Sequence, residues 1–107
     1  MEKRAYRRIP VKLEGEFISN DISYIVYIRN VSEYGANAII APLKSAKDFI
    51  TEKKHELKIQ LVSGETLNLS CKGKWSSAVS FQGLTKEIGL EIIDPPVQYK
   101  KFLTTLK

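Results

Sequence analysis

The sequence has one cysteine, one histidine, one tryptophan and four prolines in 107 residues. A lone cysteine, Cys71, cannot form an internal disulfide, which fits a reducing compartment. No spacing brings His55 and Cys71 together as a nucleophile and its base, and no set of Cys, His and carboxylates has metal-ligand spacing. No glycine-rich loop leads into a helix as a phosphate-binding loop does. These absences remove the commonest routes to catalysis, and the sequence predicts no catalytic residue and no metal. No apolar run approaches the roughly 18 residues of a membrane span, and the basic start is not followed by a hydrophobic signal region. The expectation is a cytoplasmic domain with no membrane insertion.

Long runs of one charge are also missing. Seventeen basic and twelve acidic residues give a net charge of +5. The first twelve residues hold Lys3, Arg4, Arg7, Arg8 and Lys12 against Glu2, a balance of 5 − 1 = +4. The other 95 residues hold 12 basic against 11 acidic, so the body is nearly neutral. Three of the four arginines fall between positions 4 and 8, and the fourth is Arg29. Arginine's planar fork grips a phosphate with two bonds, pairs with a guanine edge and stacks on a ring, whereas lysine offers a point charge. The plainer reading of such an arm is a solvated basic tail, and charge alone does not separate the two.

What is present in quantity is apolar alternation. With 43% hydrophobic residues, the chain has the material for one ordinary domain without a disulfide or metal staple. Val11, Leu13, Gly15 and Phe17 alternate with Lys12, Glu14 and Glu16, which is the period of a half-buried strand. Ser19-Asn20-Asp21 reads as a turn, Tyr24 to Asn30 as a second strand, and Ala36 to Ala41 as a third. Leu43 to Lys54 reads as a long connection. His55, among Lys53, Lys54 and Glu56, is expected to be exposed at a strand start. Leu57 to Leu61 and Leu67 to Trp75 form a hairpin about Ser63-Gly64, with Cys71 sharing the parity of Leu67 and Leu69 and so belonging to the core. Phe81-Gln82-Gly83 is a loop, and Ile88, Leu90 and Ile92 make the last strand. Tyr99, Phe102, Leu103 and Leu106 then follow a helical stripe, with Pro96 in its first turn and Asp94 nearby as a cap. The sum is a mainly β domain: six or seven short strands in an antiparallel barrel, closed or nearly so, with a C-terminal α-helix over 96–106.

Two short motifs stand out. Arg4-Ala-Tyr-Arg-Arg8 is an R-x-x-x-R immediately before the first strand. Asn30-Val-Ser32-Glu-Tyr-Gly35 is an N-x-S-x-x-G at the end of the second. Asn30 offers a donor and an acceptor, Ser32 a hydroxyl two residues on, and Gly35 a positive φ or close approach of a ligand to the backbone. Taken alone, the second motif is more often a turn than a site.

Together, in this order and in this β context, they resemble the PilZ domain family, receptor domains for the bacterial second messenger cyclic di-GMP. The resemblance extends to Lys72-Gly-Lys-Trp75, a loop, and Ile88-Gly-Leu-Glu-Ile92 before the terminal helix. It implies a six-stranded antiparallel barrel over 11–107, preceded by a flexible basic arm over 1–10. It implies that Arg4 and Arg8 hold the ligand's phosphates and guanine faces, with Arg7 auxiliary, and that Asn30, Ser32 and Gly35 meet a guanine edge. Lys3 stands where many members have another arginine, and Asn30 replaces the commoner aspartate. Trp75 is a candidate ligand contact by position and a core residue by parity; Tyr6 is a stacking residue or a hydrophobic peg; Arg29 faces solvent or an acid. The implied function is non-enzymatic: cyclic di-GMP orders the arm, and an unidentified effector protein reads the change. Two alternatives are a scaffold acting through protein contacts alone and a basic barrel binding single-stranded nucleic acid. The near-neutral body weighs against the latter.

Overall fold

The computed structural model describes residues 8–19, 22–40, 54–78 and 86–106. These form β1 (Ile9–Ser19), β2 (Ile22–Ser32), β3 (Gly35–Ile40), β4 (His55–Gln60), β5 (Thr66–Ala78), β6 (Lys86–Ile93) and α1 (Val97–Thr104). Every pairing is antiparallel, and the strand order β1-β2-β3-β6-β5-β4 closes on itself as a barrel. The antiparallel barrel and terminal helix anticipated from the periodic pattern are both present, and the described strands number six, as the family resemblance implied. Each of the described strands is therefore paired on both sides over at least part of its length. The connection over 43–53, the loop at Phe81-Gln82-Gly83 and the turn residues Asn20 and Asp21 lie outside the described residues.

The inward positions are the apolar ones. Phe17, Val26, Ile28, Val31, Leu57, Ile59, Leu69, Ile88 and Ile92 are essentially buried and form one cluster with Tyr99 and Leu103 of α1. Cys71 belongs to it, as its parity required. Burial, reinforced by the charge of Glu56, pushes the Cys71 thiol up from its ordinary value of 9.0 to about 12. Two outcomes are expected. The thiol stays unmodified by iodoacetamide in the native protein at pH 8, because the thiolate is the nucleophile. Stability also declines with alkali: the unfolded thiol loses its proton above about pH 9 while the folded one keeps it, so the loss grows between about 9 and 12. Urea titrations at pH 7 and pH 10 check the sign; equal midpoints would contradict it.

His55 corrects an expectation. It is buried, opposite Cys71 in the β4–β5 ladder, with its ring 5.1 Å from that of Phe17. The polar neighbours Lys54 and Glu56 suggested exposure, but His55 shares the phase of Leu57 and Ile59, and phase decides which face a strand residue takes.

Three bulges interrupt the ladders: in β1 between Pro10 and Leu13, in β2 between Ile28 and Asn30, and in β5 between Gly73 and Trp75. An extra residue on one strand lets two consecutive side chains point outward. Ile28 and Val31 thus both stay buried while Arg29 and Asn30 both turn out. In β5, Gly73 faces in, whereas Lys74 and Trp75 are exposed. The uninterrupted parity that made Trp75 a core candidate is broken by this bulge, and its ring is 39% exposed on the outer wall.

The helix buries the stripe that its spacing predicted: Tyr99 and Leu103 are buried, with Phe102 and Leu106 packed beside them. Its start differs from expectation. Pro96 is the N-cap itself, with no side-chain capping bond, and Asp94 is in a positive-φ turn. The Tyr99 hydroxyl donates to the Ser32 carbonyl at 2.6 Å, and Lys100 pairs with Glu33 at 3.8 Å. Tyr99 titrates well above the ordinary tyrosine range, chiefly through burial and secondarily through the charge of Glu33. The helix is therefore fastened to the end of β2 that carries the N-x-S-x-x-G motif.

Candidate functional site on the outer wall of the barrel

Register brings together residues that are far apart in sequence. Pro10 faces Asn30, Asn30 faces Asn37, Asn37 faces Gly89, and Gly89 faces Trp75. From Asn30 to Trp75 this outward row crosses three strand gaps, about 14 Å. Arg8, two residues before Pro10, reaches back over it: its Nη1 donates to Asn30 Oδ1 at 3.1 Å and to Asn37 Oδ1 at 2.9 Å. A guanidinium has only donors, so both amides must turn their oxygens to it and their NH₂ groups away. Among the described residues, Arg8 Nε and Nη2 make no hydrogen bond and Arg8 has no carboxylate partner.

Ser32 and Gly35 face each other across the β2–β3 turn. A Cβ on Gly35 would stand 3.4 Å from Ser32 Oγ and 3.8 Å from Arg8 Nη2. The bare α-carbon thus keeps a space open between the hydroxyl and the guanidinium. Gly35 has no positive φ, so of its two anticipated uses only close approach fits. At the other end of the row, Gly89 performs a similar service for Trp75. A Cβ there would fall on the indole ring, so the ring lies flat against the β6 backbone with its other face outward.

The flanking carboxylates are already engaged. Arg29 meets Glu87 at 3.6 Å, and Lys74 meets Glu91 at 3.5 Å. Such exposed pairs contribute little stability, about 0–1 kcal/mol. Their effect here is to neutralise the acids bordering the row, so among the described residues Arg8 is a cation without a carboxylate partner, beside amide donors, a hydroxyl and an aromatic face. That set suits an anionic, planar ligand. A cleft of about 750 Å³ lies elsewhere, between Leu13, Leu61, Leu67, Phe102 and Leu106, and it meets the row only at Pro10. Its walls are mostly apolar, with Lys12 and Lys101 as the cations at its margin.

Of the site residues read from the sequence, Arg8 and Asn30 are joined directly, Ser32 and Gly35 adjoin them, and Trp75 closes the row. Lys3, Arg4, Tyr6 and Arg7 lie outside the described residues. Asn37 and Gly89 escaped the sequence reading. The one available signal for Asn37 was an asparagine, poorly suited to strands, at an outward position between Ala36 and Ala38. No cluster of metal-ligating side chains exists among the described residues, and none of their helices is long and apolar enough to cross a membrane.

The described residues form a small closed β-barrel domain with a row of polar and aromatic side chains on its outer wall. The PilZ domain family model matches residues 2–106, and the chain belongs to that family. Three solved structures share the fold. One is the Bacillus subtilis inhibitor of motility MotI/DgrA, at 16% identity and a TM-score of 0.73, with 98% of this chain and 49% of that one covered. The PilZ domain of Escherichia coli YcgR with c-di-GMP aligns at 11% identity and a TM-score of 0.75, covering 98% and 92%. Borreliella burgdorferi PlzA in complex with c-di-GMP aligns at 15% and 0.63, covering 92% and 50%. The chain therefore spans about half the length of MotI/DgrA and of PlzA. A search of curated proteins finds no match.

Proposed function

We propose that this domain is a non-catalytic, cytoplasmic receptor for cyclic di-GMP that passes the signal to a partner protein. One observation carries the reading: Arg8, the last residue of the R-x-x-x-R motif, is bonded to Asn30 of the N-x-S-x-x-G motif, 22 residues away. Family membership and two neighbours described with c-di-GMP support it. The ligand has two phosphodiesters and two purines. Arg8, with Arg4 and Arg7 ahead of it, supplies charge-assisted donors for the phosphates. The amide of Asn30 offers its NH₂ group to guanine O6 and N7. Ser32 adds a hydroxyl, Gly35 admits close approach, and Trp75 presents an open ring face for stacking. Lys3 adds charge at the margin. With the ligand seated, the arm closes over it, and the altered arm is what the effector reads.

Calorimetric titration with cyclic di-GMP, GTP and a single-stranded oligonucleotide tests the ligand class. Saturable binding of the cyclic dinucleotide alone is expected; oligonucleotide binding with steep salt dependence and no response to the dinucleotide would replace this reading with nucleic-acid binding. Gly35→Ala gives a second check. The added methyl meets only ordinary contacts in the free protein, so folding is retained. It occupies the space between Ser32 and Arg8, and affinity is expected to fall by about tenfold, the size of an overpacking penalty. Unchanged affinity would move the ligand off Gly35.

A further inference from the structure

We propose that Asn37 is a positioning residue: together with Asn30 it holds the Arg8 guanidinium over the β2–β3 seam without neutralising it. The inference rests on the reading of this wall as an anion-receiving surface.

The argument starts from the register. Asn30 and Asn37 are directly opposed across the β2–β3 ladder, so their side chains leave the sheet about 5 Å apart. Both oxygens converge on one nitrogen, Arg8 Nη1, at 3.1 and 2.9 Å. Asparagine is depleted in strands, and two amides facing each other on an outer wall gain little from packing. A shared guanidinium gives both a partner. An exposed arginine otherwise samples many rotamers, and two acceptors from two different strands restrict it far more than one.

Charge explains why amides suit this task. A carboxylate at either position would hold Arg8 more firmly but cancel its charge, and an incoming phosphate would have to displace an ion pair. Two neutral oxygens orient the group and leave the full positive charge outward. The nearby carboxylates, Glu87 and Glu91, are taken up by Arg29 and Lys74. Nη2, the nitrogen not used by the amides, lies nearest the space kept open by Gly35. The free donors therefore face the place where a phosphate can approach.

The test has a ligand-free arm and a ligand arm. In the ligand-free protein, the Arg8 side-chain N–H resonances in a ¹⁵N NMR spectrum are expected to be dispersed and slowed in exchange, and Asn37→Ala is expected to return them to the averaged position of a solvated arginine. In calorimetry with cyclic di-GMP, Asn37→Ala is expected to weaken binding by roughly tenfold, the scale of one hydrogen bond to a charged group. The Arg8→Ala/Asn37→Ala double variant is expected to bind no more weakly than Arg8→Ala alone, because Asn37 acts through Arg8. Asn37→Asp is expected to keep Arg8 ordered yet bind more weakly than wild type. Arg8 resonances indifferent to Asn37→Ala, or additive losses in the double variant, overturn the positioning role; an Asn37→Asp variant that binds as well as wild type overturns the charge argument. If wild type ignores cyclic di-GMP while the Arg8 resonances still respond to Asn37→Ala, the ligand reading fails and the positioning role stands.

Discussion

Replacing Arg8 by alanine is expected to lower affinity for cyclic di-GMP by tenfold to a hundredfold or more while leaving the fold intact. The magnitude follows from the bond type: a charge-assisted hydrogen bond contributes about 1.5–3 kcal/mol net, and about 1.4 kcal/mol is a factor of ten. Arg8 has two further nitrogens to offer a phosphate besides Nη1, which the amides hold. Stability should change little, because the side chain is exposed and, among the described residues, its hydrogen bonds are to two surface amides. Arg8→Lys keeps the charge but not the fork, so it should recover only part of the loss. Arg29→Ala is the matched control. That arginine stands next to Asn30 but is paired with Glu87, and its loss should leave affinity nearly unchanged. Calorimetry on the three variants checks the set; an Arg8→Ala protein that binds as wild type does removes Arg8 from the site.

The largest effect on stability is expected at Tyr99. It is among the largest fully buried side chains, and it fastens α1 to the barrel through the 2.6 Å bond to Ser32 O. Tyr99→Ala removes a buried ring and leaves a cavity, at a cost of about 3–5 kcal/mol. That is a large part of the roughly 5–15 kcal/mol that holds a domain of this size together. Tyr99→Phe keeps the ring but strands the Ser32 carbonyl, at about 1–3 kcal/mol. The Phe variant tests the link between helix and motif: Ser32 sits within the site, so the variant should disturb the amide resonances of residues 32–35 as well as lower the urea midpoint. A lower midpoint with those resonances unmoved would confine Tyr99 to packing.

How much of this was legible in the sequence depends on whether a feature is carried by phase or by register. Phase is local. The alternation from Val11 to Phe17, the hairpin about Ser63-Gly64 and the stripe Tyr99, Phe102, Leu103 and Leu106 each needed only near neighbours, and each is present. His55 was misplaced because the charges beside it were given more weight than its phase with Leu57 and Ile59. Register is not local. Trp75 shares parity with Leu67 to Gly73 on paper, and nothing there reveals the extra residue that turns it outward. Gly89 looked like an ordinary strand glycine until its pairing with Trp75 showed an indole resting on it. Asn37 met Asn30 and Arg8 only once β3 was laid against β2. The two motifs were visible as strings, but the meeting of Arg8 with Asn30 depends on the β1–β2 register, which neither motif spells out.

In the proposed function, one outer wall, from Arg8 across Asn30 and Asn37 to Gly89 and Trp75, receives cyclic di-GMP. The most direct measurement is a ¹H–¹⁵N NMR titration of the protein with that ligand. The expected result is saturable shifts concentrated at Arg8, residues 30–37, Trp75 and Gly89, with the Trp75 indole N–H among the largest, and little change around Leu61 and Leu67. Shifts centred on the cleft beneath α1, or no saturable shifts at all, would contradict it.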